Sequence, residues 1–177
     1  DAGLLGEAGI EGVSVVRFEP GDVPEDDAAS RLAEALAGEG VRRSAAFTGR
    51  ANLYAERFGL AVLEPGRIEQ VNLIDEAVTV ATLSPFAMVR PGEMIATVKI
   101  IPFAAPEAAV TAAAGAAREN PIRVAQFLPM KAALVSTQLP GQKPSLLDKN
   151  RAALEARVTD LTGSLIFENR CPHEAKA

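Results

Sequence analysis

The sequence is short of the residues that most often carry chemistry. Its 177 residues include one cysteine, one histidine, one tyrosine and no tryptophan, and aromatics make up 5%. A single cysteine excludes an intrachain disulfide framework. A single histidine argues against a histidine-rich metal cage and against a Ser-His-Asp triad with a spare base. Positive charge is short too: 18 Lys and Arg against 23 Asp and Glu leave a net charge of −5. That balance argues against sequence-independent nucleic-acid binding, which needs a basic stripe. Long apolar runs are also missing. The longest small-residue stretch, Phe103 to Ala117, is too short for a bilayer and is broken by Pro106, Glu107 and Gly115. No basic start followed by an apolar run and a cleavage site marks a signal peptide. The expectation is a cytoplasmic protein with neither nucleic-acid nor membrane partners. Because the chain starts at Asp1 and stops soon after an apparent strand, it is expected to be a piece of something longer.

What is present fits a folded protein. Hydrophobic residues make up 48%, too high a share for a disordered chain. The length allows one domain or two small ones. Much of the apolar share is alanine, which buries little area, so the core is expected to rest on Val, Ile, Leu and Phe. Leu4 to Ala8 reads as the end of a helix stopped by Gly9, and Val13 to Phe18 reads as a strand. Asp22-Val23-Pro24-Glu25 reads as a helix start with Asp22 as cap, Leu32 and Leu36 on the apolar face, and Gly38 and Gly40 as the stop. Strands are expected towards Leu63, over Val78–Leu83 and over Met94–Ile101. The last two flank a Pro-Gly turn, which suggests antiparallel or mixed pairing. Short helices are expected after Pro65 and from Pro106 to about Glu119, and a strand over Ile122–Phe127.

The pattern changes near Pro129. Ala132 to Thr137 is a short apolar strand ending in hydroxyls, and Gln138 to Leu147 a polar loop. Asp148 is the candidate cap of a helix with Leu154, Val158 and Leu161 on one face and Gly163 as its stop, and Leu165 to Glu168 is a further strand. Strand, loop, helix and strand make a βαβ unit. The reading is therefore an α+β region over residues 1–129, followed at 130–177 by the first βαβ unit of an α/β layer.

The loop from Ser136 to Asn150 is the most informative segment. It joins the C-terminal end of a strand to a helix N-terminus, where open α/β sheets bind ligands and where anions are attracted. Ser136 and Thr137 offer hydroxyls, and Gly141 allows close backbone approach. Lys131, Lys143, Lys149 and Arg151 outnumber Asp148 by three charges in an otherwise acidic chain. An ordinary βα loop with an Asp cap explains the same residues. Thr48-Gly49-Arg50-Ala51-Asn52 is a second anion candidate that reads equally as a turn. Lys99 in an apolar strand is a ligand or an edge-strand charge. Asp75-Glu76 reads as a solvated helix end rather than an acid/base pair, and Cys171 with His173 offers only two ligands to a metal.

These segments resemble a known family. Lys131 to Thr137, Leu147-Asp148-Lys149-Asn150-Arg151, Thr162 to Glu168 and Pro172-His173-Glu174 resemble the start of the molybdopterin-binding domain shared by MoeA, MogA, MoaB and CinA. Ser136, Thr137, Asp148, Asn150, Gly163 and Pro172 match the family pattern. Gln138-Leu139, Lys149 and His173-Glu174 depart from it. Phe47 to Tyr54, Asn72 to Ala77 and Val98 to Phe103 resemble the MoeA-like N-terminal region of bacterial molybdopterin-binding proteins.

The resemblance implies a mostly parallel, three-layer sheet domain in bacterial molybdenum cofactor biosynthesis. It implies molybdopterin as the bound cofactor, with Ser136, Thr137, Asp148, Lys149 and Asn150 at or beside its pocket. It implies a molybdenum transferase or a cytidylyltransferase fusion as the parent, and no catalysis by this chain alone; that no resident metal is expected follows from the residues, since Cys171 and His173 make only two ligands. Molybdopterin or its molybdate-loaded form, a second copy, a molybdoenzyme or a nucleotidyl transferase are the implied partners. A dimerisation or docking module, or part of a CinA-like nucleotide-processing enzyme, are the alternatives.

Overall fold

The computed structural model describes residues 2–10, 12, 13 and 15–174. The chain is a mixed α+β protein with several antiparallel sheets. It divides into two compact units, residues 1–125 and 126–177.

The first unit runs α1 (Ala2–Glu7), β1 (Asp22–Pro24), α2 (Glu25–Leu36), β2 (Val41–Arg43), β3 (Arg50–Ala55), β4 (Gly59–Leu63), α3 (Pro65–Asn72), β5 (Val78–Thr82), β6 (Met88–Val89), β7 (Met94–Ile100), β8 (Ala104–Pro106), α4 (Glu107–Ala116) and β9 (Ile122–Gln126). Its main sheet has the order β2-β3-β7-β5, antiparallel throughout. The alternating pattern turns Ala51, Leu53, Val98, Ile100, Val78 and Val80 inwards, and all are buried. Helix α2 lies on that face through Ala28, Ala29, Leu32, Ala33 and Leu36. Ala109, Val110 and Ala113 of α4 recur at three- and four-residue spacing, and α4 packs on α2. A second sheet has the order β6-β4-β9.

The core departs from expectation in one way. None of the seven phenylalanines is buried; Phe47, Phe86 and Phe103 are among the exposed large hydrophobics. Alanines at the helix–sheet contact let α2 approach the strands closely, and that spacing leaves no room for rings. Aliphatic side chains and alanine therefore share the core.

The start of α2 also differs. Asp22 is no helix cap, because β1 pairs antiparallel with β8 over Asp22–Pro24 and the helix begins at Glu25. The Asp22 carboxylate instead accepts the Glu19 N–H at 2.8 Å. Residues 15–18 and Val13 form no strand, since no other strand pairs with them. Pro24 and Pro106 close the two strands of the ribbon and stand at the N-caps of α2 and α4. Arg31 of α2 reaches Glu107 of α4 with two hydrogen bonds of 2.8 and 2.7 Å.

Two local devices hold the main sheet. Phe47 to Arg50 is a tight turn in which Thr48 and Gly49 have φ of 49° and 69°. The Gly49 N–H donates to the Asp26 carboxylate at 2.8 Å, and its carbonyl accepts from Ile100 at 2.7 Å. A Cβ at Gly49 would meet the Ile100 carbonyl oxygen at 2.8 Å, so glycine is required for space as well as for φ. At the opposite edge, β5 is closed by a side chain. Asn72 donates from Nδ2 to the Val80 carbonyl at 2.9 Å and accepts the Val80 N–H on Oδ1 at 2.7 Å.

The second unit holds β10 (Lys131–Gln138), α5 (Pro144–Asp160) and β11 (Ser164–Pro172), with β10 and β11 parallel. Residue 166 is an extra residue in β11: Ala132 pairs with Leu165, but Ala133 with Phe167. Beyond that bulge, Leu134, Ser136, Glu168 and Arg170 share the face under α5, while Val135 and Phe167 share the other. Leu147 is this unit's only buried hydrophobic among the described residues. Helix α5 closes on Thr162, which takes φ of 67°, and not on Gly163. A Cβ at Gly163 would meet Val158 Cγ1 at 2.8 Å, so this glycine supplies room for the strand to pass the helix.

Two outcomes are expected. Asn72→Ala leaves the Val80 N–H and C=O open, so urea unfolding should show a loss of about 1 kcal/mol. Sedimentation should then show self-association through the exposed edge. Second, hydrogen bonds from Arg31, and then from Thr111, pull the Glu107 carboxyl down to about 2 from an ordinary value of 4.5. Its contribution to stability is therefore complete above about pH 4.5 and is lost as pH falls towards 2. Glu107→Gln should flatten the fall in thermal midpoint over that window.

Candidate functional site

A cleft of about 560 Å³ lies at the C-terminal ends of β10 and β11. Its walls are Gln138 to Gly141 on one side and Arg170 to Glu174 on the other. The strands set this geometry: two parallel strands end side by side, and the chain leaves β10 in a turn before it enters α5. The turn is stapled by amides. Gln138 Nε2 donates to the Gln142 carbonyl at 3.0 Å, and the Leu139 N–H donates to Gln142 Oε1 at 3.0 Å. The His173 N–H donates to the Gln138 carbonyl at 3.0 Å, which joins the two walls.

Charge in the cleft comes from Arg170. Its Nε donates to Glu168 at 2.6 Å and one terminal nitrogen to Asp148 at 2.7 Å. Those bonds, Glu168 first, push the guanidinium further above its ordinary value. Among the described residues the other terminal nitrogen has no hydrogen-bond partner. Arg151 joins the same network, meeting Glu168 at 3.2 Å and Glu155 at 3.1 Å. At the opposite rim the Thr137 hydroxyl and His173 Nδ1 are 2.8 Å apart.

The five expected residues fall into three groups. Thr137 and Asp148 do not line the cleft, but each touches a residue that does: Thr137 through His173, and Asp148 through Arg170. Ser136 is buried on the face under α5 and takes no side-chain hydrogen bond. Lys149 and Asn150 are exposed on α5, and their side chains make no hydrogen bond or ion pair among the described residues.

Asp148 is also not the helix cap that the spacing suggests. Helix α5 starts four residues earlier, with Lys143 at the N-cap and Pro144 in the first turn. Pro144 has no N–H to lose and a preset φ, so it begins the helix. Asp148 consequently sits one turn inside and faces β11. Arg170 was missed because it lies outside every short motif; its signal was alternation with Glu168 along a strand. Gln142 lies in the segment whose composition marks only a polar loop, Gln138 to Leu147.

The other sequence candidates resolve differently. Thr48–Asn52 holds a carboxylate of its own chain at Gly49, and Asn52 accepts from Thr97 at 2.7 Å rather than capping an element. Asp75 accepts the Ala77 N–H at 2.8 Å, a local turn bond. Lys99 lies on β7, between β3 and β5, and so is not on an edge. Among the described residues no group of three or more His, Cys, Asp or Glu could hold a metal ion. No helix there is long and apolar enough to cross a membrane. No protein-family model matches the chain, and neither a curated protein nor a solved structure matches it.

The ion network ties α5 to β11, so Arg170→Ala should speed hydrogen exchange at α5 amides near Asp148. Lys149→Ala, which removes no partner, should leave those rates unchanged.

Proposed function

We propose that the cleft beside β10 and β11 binds molybdopterin, as part of a molybdopterin-binding domain of the MoeA, MogA, MoaB and CinA type. The observation that carries this reading is the cleft's place, at the carboxyl ends of two parallel strands and at a strand-to-helix turn. Such positions collect backbone groups that do not pair within the sheet, which suits a polar ligand.

The residues suit an anionic heterocycle. The free Arg170 nitrogen faces the pterin phosphate, fixed in direction by Glu168 and Asp148. Gly141, with φ of 77° and no side chain, lets the turn's backbone approach. Pro140, Pro172 and Leu139 supply flat apolar walls to a ring system, and His173 offers its second ring nitrogen. Asp148 and Thr137 then act by orienting Arg170 and His173. The role is to hold and hand over the cofactor.

The same reading accounts for the uncovered side of the β10–β11 layer. Helix α5 covers one face; Val135 and Phe167 on the other are 61% and 56% exposed. In a three-layer domain that face receives a second helical layer. A bacterial, cytoplasmic role in molybdenum cofactor biosynthesis follows from the same proposal, with a molybdoenzyme or nucleotidyl transferase as receiver.

Calorimetric titration with molybdopterin tests the reading. Saturable binding is expected, weakened about tenfold by Arg170→Ala, on the scale of one charge-assisted hydrogen bond. A flat titration beside a normally binding MogA-type control would overturn it.

A further inference from the structure

Two features of the sequence are left unused by the cleft, the Arg50 segment and Lys99. The structure makes them neighbours. Arg50 of β3 pairs directly with Lys99 of β7, and Lys99 pairs on its other side with Thr79 of β5. All three are exposed and lie on the outer face of the main sheet, opposite the face covered by α2. Directly paired residues on antiparallel strands have Cβ atoms about 5 Å apart, and like charges placed so are unfavourable.

Nothing in the fold requires this pair. Lys99 protects no edge, because a strand lies on either side of it. Neither Arg50 nor Lys99 makes an ion pair among the described residues, although the chain carries net negative charge. Four other arginines of this unit are neutralised: Arg31 by Glu107, Arg43 by Glu34, Arg57 by Glu39, and Arg67 by Glu64 and Glu119. Arg42, on the same outer face, stacks over Tyr54 at 4.9 Å. In the next row, Thr97 donates to Asn52 and Asn52 donates to Tyr54, so those polar groups are already engaged. Two uncompensated cations and one hydroxyl remain, in line across three strands.

We propose that Arg50, Lys99 and Thr79 bind a doubly charged tetrahedral oxyanion, the phosphate group of a phosphomonoester. The guanidinium supplies paired N–H donors in a plane, the ammonium a mobile point charge, and the threonine a hydroxyl. Two cations match a dianion. A phosphodiester, with one charge, leaves one of the cations unneutralised. The site lies wholly in the first unit and does not rest on the molybdopterin reading.

The experiment is an NMR titration of the protein at pH 8, where phosphate monoesters are fully ionised, with ionic strength held constant by sodium chloride. The probes are inorganic phosphate, glycerol phosphate and dimethyl phosphate. Saturable shifts are expected at Arg50, Lys99 and Thr79 with the first two probes, and binding about tenfold weaker with the diester. Arg50→Gln and Lys99→Gln should each weaken binding about fivefold. Arg42→Gln on the same face should leave it unchanged. Both test residues are exposed, and unaltered thermal midpoints would show that the variants fold. Shifts reproduced by chloride alone, equal binding of mono- and diester, or equal loss in Arg42→Gln would overturn the proposal by showing general surface charge.

Discussion

The close contact between α2 and the inner face of the main sheet governs the first unit. Ala28, Ala29 and Ala33 bring the helix down onto Leu53, Val98 and Ile100 without intervening bulk. A helix at that distance fixes which residues of β3 and β7 can face inwards, because side chains alternate strictly along a strand. The outer face is then determined as well. Arg50, Asn52 and Tyr54 face outwards because Ala51, Leu53 and Ala55 are buried. The Asp26 bond to the Gly49 turn adds a polar lock near the helix N-terminus, joining α2 to the turn that leads into β3.

The second unit depends on a different balance. Among the described residues only Leu147 is a buried hydrophobic there, so α5 is held to β11 by ion pairs more than by apolar area. Such pairs contribute modestly when solvent reaches them, but they are directional. That suits a ligand site, since the charges that attach the helix also aim Arg170 at the cleft. On the proposed reading, structure and recognition would share one set of side chains.

Much of this was legible in the sequence where periodicity was strong. Leu32 and Leu36 mark α2, and Val78 to Thr82 and Met94 to Ile100 mark two antiparallel strands. The βαβ order after residue 130 follows from apolar runs separated by a polar turn. Boundaries set by pairing were not legible. Asp22-Val23-Pro24 has the composition of a helix start, yet its partner is β8, more than 80 residues away. Asp148 has the composition of a cap, yet Pro144 takes that end of the helix. The candidate sites were legible as segments but not as arrangements. The pairing of Arg50 with Lys99 arises from a register that no local window contains, and Arg170 enters the cleft through strand phase rather than through a motif.

That phase has a single physical source, the extra residue at position 166. Were residue 166 instead taken into the ladder opposite Ala133, positions 168 and 170 would move to the uncovered face, and Phe167, Asn169 and Cys171 would move beneath α5. Ring and thiol would then meet the helix where its Asp148 and Arg151 now find opposite charges. The bulge thus works as a parity bit for the strand: it decides which half of an alternating message reaches the helix. Length changes in this strand are therefore not equivalent. A lone insertion or deletion on the Cys171 side of Arg170 leaves the ion network intact, whereas one between Ala133's partner and Arg170 inverts it. Paired changes of two residues keep the parity and shift only the reach of the strand. In a lineage of such chains, the spacing from Phe167 to Arg170 should drift in steps of two or not at all.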